Sequence, residues 1–391
     1  MSETTCDEFV DIGANLTKFR RPEVLRQLKA AADVGVTRVI ITGCDLKGSI
    51  AAAELAAWHR ALPPVPGSLG LCAPRLYCTA GVHPHQASSL AGDDGCVDAV
   101  ALSKLESLAR SALCVAVGEC GLDYDRMFSS REAQLAAFDA QCGLAARLGA
   151  PLFVHVRESG KGPALGAYAD ALGVLRRHEG AGLSPSRVVV HCFTGDEADL
   201  AVLVDTGVCI GLTGFIGISR RAGATLQALD RCGVALLRAG RLMLETDAPF
   251  MLPDPLYRPD SFKSCAGSCH GGGNSGPKGR VQNEPCVLPG VCRALADALR
   301  LDASEVASAT TRAAHCFFCF EAADATAEPA ATREQLSGAS HRHTAADEPT
   351  AKADGFADAT DVVQLRGDRP VGREAGPAEA GPAEAGPAEG G

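Results

Sequence analysis

Residues 151–159 read PLFVHVRES, an apolar, β-rich run that ends in a polar segment and presents His155. The same construction recurs in three further segments: residues 113–124 (LCVAVGECGLDY, with Glu119), 187–195 (RVVVHCFTG, with His191) and 241–249 (RLMLETDAP, with Asp247). If these runs are neighbouring parallel strands, their carboxyl ends meet at one rim of the sheet. We therefore expect these four side chains to converge there.

The body of the chain alternates short β-rich runs with amphipathic, Ala/Leu-rich stretches, which indicates a parallel sheet. Eight strands are predicted: Glu8–Ile12, Arg38–Thr42, Arg75–Ala80, Leu113–Val117, Pro151–Val156, Arg187–Val190, Val208–Leu212 and Arg241–Glu245. A doubly wound sheet would also produce this alternation. Eight strands, each followed by a helix or a long loop, suit a closed (β/α)8 TIM barrel better.

Glu119, His155, His191 and Asp247 form a donor set that packing alone explains poorly. One His at the end of an apolar strand is usually a packing residue, but several buried ionisable groups together are costly unless they are paired or bind a metal. Imidazole with carboxylate suits Zn²⁺, Mn²⁺, Mg²⁺ or Fe²⁺. Glu119 could also bridge two ions ~3.5–4 Å apart.

The chain has 391 residues and changes character beyond residue 320. Residues 321–391 contain one aromatic residue, Phe356, and end in three AGPAE repeats. They hold 14 acidic and 6 basic residues, so they carry −8 of the formal net charge of −10. We predict a barrel over residues 1–320 and an acidic, low-complexity, disordered tail over 321–391, with an unidentified protein as its candidate partner.

The cysteines, the first ten residues and the lengths of the apolar runs bear on the cellular compartment of the protein. All 17 cysteines lie between Cys6 and Cys319, while the opening MSETTCDEFV has no basic, apolar signal segment. No apolar run reaches the ~18 residues of a membrane span. We expect reduced thiols in the cytoplasm, with the nucleus as the alternative, and no membrane partner.

The ordered motifs resemble those of the TatD-type metal-dependent deoxyribonucleases. They are FVDIGANLT, TAGVHPHQ, VGECGLDYDR, PLFVHVRES, VVHCFTG, LETDAPFMLP and NEPCVLP, and they span the body from Phe9 to about Phe320. The resemblance implies a distorted, amidohydrolase-like (β/α)8 barrel. It also implies hydrolysis of DNA phosphodiester bonds, acting 3′-to-5′ on single-stranded ends, with RNA as an alternative substrate.

The resemblance places Glu119, His155, His191 and Asp247 on the family's metal-ligand positions. Asp247 is also our candidate for orienting or deprotonating the attacking water, and His83 of GVHPH for hydrogen bonding a phosphate oxygen. Arg157 is the preferred phosphate-binding cation because it follows His155 by two residues and faces the same side. Tyr124 is a candidate for the nucleotide pocket. Less specific cations are Arg20, Arg21, Arg126, Lys161, Arg220 and Arg221.

The first strand departs from the D-x-H-x-H pattern of many relatives. Here the stretch reads Asp11-Ile12-Gly13-Ala14-Asn15, without an imidazole. Loss of two nitrogen donors favours Mg²⁺ as the cofactor over Mn²⁺ or Zn²⁺. We expect one tightly bound ion and a second, more weakly bound ion whose ligands are Glu119, Asp11, water and substrate.

Two other functions compete with a nuclease. An amidohydrolase-like enzyme acting on C–N or ester bonds would usually carry H-x-H on strand one and often a lysine on strand four, where Glu119 stands here. A non-catalytic scaffold would be expected to have a broken ligand set, yet all four candidate ligands are present. The residues therefore favour the nuclease.

Overall fold

The computed structural model of the chain describes residues 8–63, 73–160, 163–260, 262 and 281–327. For residues 325–327 it describes the backbone only. The chain divides into two units, Met1–Leu336 and Ser337–Gly391, and the second lies outside the described residues. The predictions for Lys161 and for the tail beyond residue 327 therefore also lie outside them.

Eight parallel strands follow one another around the sheet in sequence order, which confirms the predicted (β/α)8 barrel. Beyond the last strand, Ala248 pairs with Ala14, and the N–H of Asp247 donates to the carbonyl oxygen of Gly13 at 2.8 Å, which brings the sheet round on itself. The strands are β1 (Phe9–Ala14), β2 (Val36–Ile41), β3 (Arg75–Ala80), β4 (Cys114–Asp123), β5 (Leu152–Arg157), β6 (Val188–Val190), β7 (Cys209–Leu212) and β8 (Leu242–Leu244).

Helices separate the strands and continue after the last one. Several begin at a polar side chain that accepts a backbone N–H of the first turn, as Asp45, Asp98, Ser130 and Asp196 do. None of the described helices is long and apolar enough to span a membrane. The helices are α1 (Arg21–Ala32), α2 (Leu46–Arg60), α3 (Ala99–Ala109), α4 (Arg131–Leu148), α5 (Ala167–Glu179), α6 (Glu197–Thr206), α7 (Gly223–Arg238), α8 (Leu288–Leu299), α9 (Ala303–Phe318) and α10 (Phe320–Ala327).

The barrel interior and the last two helices form one apolar cluster. Inward-facing side chains such as Ile12, Tyr77 and Phe153 pack in the same cluster as Phe317 and Phe320 from the end of the body. The rings of Tyr77 and Phe320 are 4.7 Å apart. The C-terminal helices therefore fill one end of the barrel and leave the carboxyl ends of the strands for the site.

Helix α10 crosses the predicted domain boundary at residue 320. Its Asp324 accepts hydrogen bonds from Arg60 (2.8 Å) and from the hydroxyl of Tyr77 (2.8 Å), and it also pairs with Arg75. The predicted boundary is therefore too early, because the chain that packs on the barrel extends at least to Asp324. The sequence beyond Phe320 hid this contact because it is short and alanine-rich and has no run of large apolar residues.

We expect truncation after Phe320 to destabilise the barrel and truncation after Leu336 to leave its stability unchanged. The shorter chain loses Asp324 and leaves Arg60 and the Tyr77 hydroxyl without this acceptor, at a cost of about 1–3 kcal/mol. Urea unfolding of both truncations and of Asp324→Ala in the full chain measures the difference. Equal free energies of unfolding for all three would remove the structural role assigned to α10.

Candidate metal centre at the mouth of the barrel

One oxygen of Glu119 lies at the centre of the site. Its Oε1 is 2.8 Å from His191 Nε2, 3.1 Å from His83 Nε2 and 3.3 Å from His155 Nδ1. The donor atoms of His83, Glu119 and His155 all lie within 4.8 Å of one another, a spacing that can hold a metal ion. The structure thus brings together three of the four predicted ligands and adds His83 to them.

Two glycines shape β4 so that Glu119 reaches this point. Gly118 has φ +133°, and a Cβ there would lie 2.2 Å from the backbone oxygen of Phe153 on β5. A Cβ on Gly81, which follows β3, would lie 2.2 Å from the carbonyl carbon of Gly118. Only glycine allows the backbones this close to each other and to β5. The G-E-C-G sequence therefore places the carboxylate through backbone geometry.

Each of the two predicted imidazole ligands faces a second carboxylate. His191 Nδ1 is 3.4 Å from Glu245 Oε2, and His155 Nε2 is 3.4 Å from Asp123 Oδ2. His155 Nε2 is buried and has no hydrogen-bond partner among the residues that the structure describes. A carboxylate behind a histidine fixes the ring and raises its basicity in metal sites. Neither Asp123 nor Glu245 was predicted as part of the site.

Glu245 occupies a slot made by two glycines. A Cβ on Gly13 would lie 2.4 Å from Glu245 Oε2, and a Cβ on Gly211 would lie 2.7 Å from Oε1. The Oε1 atom also accepts the N–H of Cys192 at 2.6 Å. The glycine that breaks the D-x-H-x-H pattern thus leaves room for this carboxylate behind His191. The one sequence signal is a glutamate directly after the apolar run of β8.

Protonation in the cluster follows from burial and close charge. Burial raises the pKa of Glu119, but the adjacent His191 and His83 outweigh it and hold that pKa well below its usual range. Burial lowers the pKa of His191, yet Glu119 and Glu245 raise it well above normal. The pKa of His155 is raised because Asp123 and Glu119 outweigh its burial. The negative charge of Glu119 and the positive charges of His155 and His191 therefore stabilise one another in the cluster.

His83 differs from the other two imidazoles. Its Nδ1 accepts the N–H of His85 at 3.1 Å, so a neutral His83 carries its proton on Nε2 and donates it toward Glu119. Burial lowers the pKa of His83 to about 4, which keeps the ring neutral near pH 7. This tautomer is a hydrogen-bond donor, as the predicted contact with a phosphate oxygen requires.

Asp247 lies at the β8 side of the mouth and contacts Asn15. The Asn15 amide donates to Asp247 Oδ1 at 3.0 Å, while Cys44 Sγ lies 3.7 Å from Asn15 Oδ1 and 3.5 Å from Glu119 Oε2. Burial raises the pKa of Asp247 to about 8; His191 offsets part of this, and Glu119 adds to it. Asp247 is therefore an unusually basic carboxylate beside the cluster. Cys44 was not predicted as a site residue.

The carboxylate of Asp11 accepts hydrogen bonds that connect β1 to the segment after β8. Its oxygens accept from the backbone N–H of Thr246 (2.9 Å), from the Thr246 hydroxyl (2.6 Å) and from the N–H of Gly13 (3.3 Å). Its side chain is fully buried. The expectation that a second ion would contact Asp11 is therefore poorly matched by the structure, in which Cys44 lies beside the second oxygen of Glu119 and Asn15 lies beside Cys44 and Asp247.

The two predicted substrate-binding residues have different surroundings. Arg157 is partly exposed and pairs with Asp125 at 2.6 Å, so a phosphate would have to compete with that carboxylate. Tyr124 is 2% exposed, and its hydroxyl donates to Asp170 on α5 at 2.6 Å. The structure gives Tyr124 a packing role, and its prediction as a pocket residue is wrong.

The donor set fits a divalent cation. Glu119 supplies a carboxylate, and His155 and His191 supply imidazole nitrogens that are already aimed at one point and backed by Asp123 and Glu245. His155 Nε2 also lacks a hydrogen-bond partner within the described part of the chain although it is buried. The same ligand types occur in both Zn²⁺ and Mn²⁺ or Mg²⁺ enzymes.

Comparison with known proteins identifies the family. The sequence pattern described as TatD related DNase matches residues 10–319. The chain belongs to this family. A relative from Pantoea sp. (strain At-9b), named 3'-5' ssDNA/RNA exonuclease TatD, is 38% identical over 73% of this chain and 90% of its own length. A relative of the same name from Edwardsiella piscicida is 37% identical over 79% of this chain and 98% of its own.

Solved structures with the TatD fold agree with the barrel. An uncharacterized amidohydrolase from Saccharomyces cerevisiae matches with a TM-score of 0.61 at 23% identity, over 80% of this chain and 99% of that one. A TatD homologue from Escherichia coli k12 matches with a TM-score of 0.58 at 24% identity, over 80% and 98%. At this identity the structures show the fold alone. The resemblance stated from the motifs is confirmed.

Proposed function

We propose that this TatD-family protein is a divalent-metal-dependent exonuclease that shortens single-stranded DNA from its 3′ end. The proposal rests on one observation above all. A single oxygen of Glu119 is surrounded by imidazoles, and each of His155 and His191 has a further carboxylate of its own behind the ring. The names of the relatives, which include RNA, support nucleic acid as the substrate class.

We assign Glu119, His155, His191 and Asp247 to the metal. A divalent cation in such a donor set polarises the scissile phosphate and activates water. Asp123 and Glu245 hold the His155 and His191 rings in place. Asp247 is also our candidate to accept the proton of the attacking water, because its carboxylate lies beside the cluster at the mouth of the barrel, where Asn15 donates to its Oδ1.

We assign the remaining contacts to the phosphate. His83 donates a hydrogen bond from Nε2 after exchanging Glu119 for phosphate, since its Nδ1 accepts the His85 N–H. Arg157 supplies a cation at the rim after exchanging Asp125 for phosphate. Both interactions neutralise a charge that grows as the phosphodiester bond breaks.

Hydrolysis of a 5′-labelled single-stranded oligonucleotide tests the function. With Mg²⁺ we expect a ladder of products that shortens from the 3′ end, and with EDTA no cleavage. Matched RNA, and the same oligonucleotide with a 3′-phosphate, define substrate and polarity. Cleavage that persists in EDTA, or products that appear at internal sites first, would contradict the proposal.

We expect one high-affinity event when the metal-stripped protein is titrated with Mn²⁺ in a calorimeter. Glu119, His155 and His191 supply one concentrated donor set, whereas Asp11 is already held by Thr246 and Gly13. We propose Mg²⁺ as the working ion, with Mn²⁺ and Zn²⁺ as alternatives, and recruitment of any second ion by substrate. Two equally tight events would contradict this account.

A further inference from the structure

Only two aromatic side chains in the described part of the chain are exposed, and both lie at the mouth of the barrel. Phe128 is 57% exposed in the loop after β4, and Phe250 is 44% exposed in the loop after β8. The other described Phe, Tyr and Trp side chains are buried or half-buried. Exposing a phenyl ring to water gives up the free energy of its burial. Two exposed rings at the mouth of the barrel therefore indicate that a ligand packs against them.

Both residues lie in loops that lead on from strands whose ends form the metal centre. The Phe128 ring lies 4.8 Å from that of His85, which lies 4.3 Å from that of His83. The N–H of Phe250 donates to the carbonyl oxygen of Asp247 at 2.9 Å. Strands β4 and β8 are four places apart in an eight-stranded ring. The two aromatic rings therefore lie on opposite sides of the candidate metal centre.

The Phe128 loop holds its ring outward. Asp123 Oδ1 accepts the N–H groups of Asp125 (3.0 Å) and Arg126 (2.9 Å), and Gln134 donates to the carbonyl oxygen of Ser129 at 3.0 Å. Met127, directly before Phe128, has φ +47° in the left-handed region. A backbone fixed in this way lowers the ordering cost of binding.

The Phe250 loop is fixed in a comparable way. Besides the Phe250 contact with Asp247, the N–H of Asn283 donates to the carbonyl oxygen of Pro249 at 3.1 Å. Met251, directly after the ring, has φ +51°. The exposure of Phe250 is thus maintained by its surroundings.

Cations accompany both rings. Lys18 Nζ lies 5.4 Å from the centre of the Phe250 ring, and Lys18 is exposed. On the other side, Arg126 and Arg157 both pair with Asp125, three residues before Phe128. An apolar ring beside a cation matches a nucleotide, whose base stacks on the ring while its phosphate meets the cation.

We propose that Phe128 and Phe250 are stacking platforms for two bases of single-stranded nucleic acid, one on each side of the scissile phosphate. The proposal rests on the proposed nuclease function and adds which side chains bind the bases of the nucleic acid. Stacking is indifferent to base identity, so the site accepts any sequence but requires unpaired bases. A duplex end must fray before it can enter.

Paired variants and abasic substrates test the platforms. We compare Phe128→Leu and Phe250→Leu, which keep apolar volume, with Phe128→Tyr and Phe250→Tyr, which keep the ring. Val100→Ala, on the exposed side of α3, is the control. The substrates are single-stranded oligonucleotides with a natural base or a tetrahydrofuran abasic residue at the terminal or penultimate 3′ position.

We expect each Leu variant to lower kcat/KM on the natural strand by about 5- to 150-fold, the factor equivalent to ~1–3 kcal/mol of stacking per base. The loss should shrink to within twofold on the substrate that is abasic at the position which that ring contacts. The Tyr variants should stay within about threefold of wild type. A Leu variant with an equal loss on natural and abasic strands, or with no loss on either, would overturn the proposal.

A binding measurement separates this proposal from the function it rests on. An oligonucleotide with 2-aminopurine at the 3′ end is mixed with protein in EDTA, where stacking quenches its fluorescence without hydrolysis. Quenching by wild type that is lost in the Leu variant of one ring, and for 2-aminopurine at the penultimate position in the Leu variant of the other, supports the platforms even if no cleavage is ever seen. Cleavage by wild type without quenching, and with unchanged Leu variants, would overturn the platforms and leave the nuclease intact. Neither quenching nor cleavage would overturn both.

Discussion

Glu119→Gln should lose nuclease activity by at least about 10³-fold, because metal-ion catalysis supplies several kcal/mol to the transition state. The substitution keeps the shape of the side chain but removes the negative charge to which His83, His155 and His191 all point. An amide oxygen is a much weaker ligand for a divalent cation. Rates on a 5′-labelled single strand at saturating Mg²⁺ give the comparison.

The control for this variant is Glu106→Gln on α3, where the carboxylate forms a surface pair with Arg110 and should matter little for activity. Circular dichroism and thermal unfolding establish that the Glu119 variant is folded. If folded Glu119→Gln cleaved DNA at the wild-type rate, the assignment of Glu119 as the central ligand would be wrong.

Gly211→Ala should weaken metal binding about 10- to 100-fold, the usual effect of disturbing a carboxylate behind a metal-binding histidine. The new methyl group would lie 2.7 Å from Glu245 Oε1 and 3.1 Å from the Cα of His191, so the carboxylate has to move. Glu245→Gln should have an effect of the same size because the contact with His191 Nδ1 loses its charge. Calorimetric titration with Mn²⁺ measures both.

Gly173→Ala in α5 is the matched control, since a methyl group there meets no atom within 4 Å. Its metal affinity should equal that of wild type. Unchanged affinity in both Gly211→Ala and Glu245→Gln would show that Glu245 does not act on the metal through His191.

The sequence was sufficient for the barrel and for the convergence of Glu119, His155 and His191. Parallel strands deliver their carboxyl ends to one rim, so residues at the end of each apolar run had to meet there. Most strand ends moved by one or two residues, as in β1, which runs to Ala14 rather than Ile12, but β4 runs six residues further than predicted, to Asp123 rather than Val117. These shifts leave the topology unchanged.

Other features depend on contacts between segments that are distant in sequence. Glu245 looked like the last strand residue before Asp247, and only the space beside Gly13 and Gly211 shows why it faces His191. Tyr124 lies within the motif VGECGLDYDR but turns its hydroxyl to Asp170 on α5. A pattern along one segment contains no information on these partners.

A crystal of the protein grown with Mn²⁺ and measured at an anomalous wavelength tests whether Glu119, His155 and His191 bind one ion. We expect one strong anomalous peak within about 2.0–2.3 Å of a Glu119 oxygen and of a ring nitrogen from both His155 and His191. Asp123 and Glu245 should remain behind those two rings. A peak elsewhere on the barrel, or none at this carboxylate in a crystal that binds Mn²⁺, would contradict it.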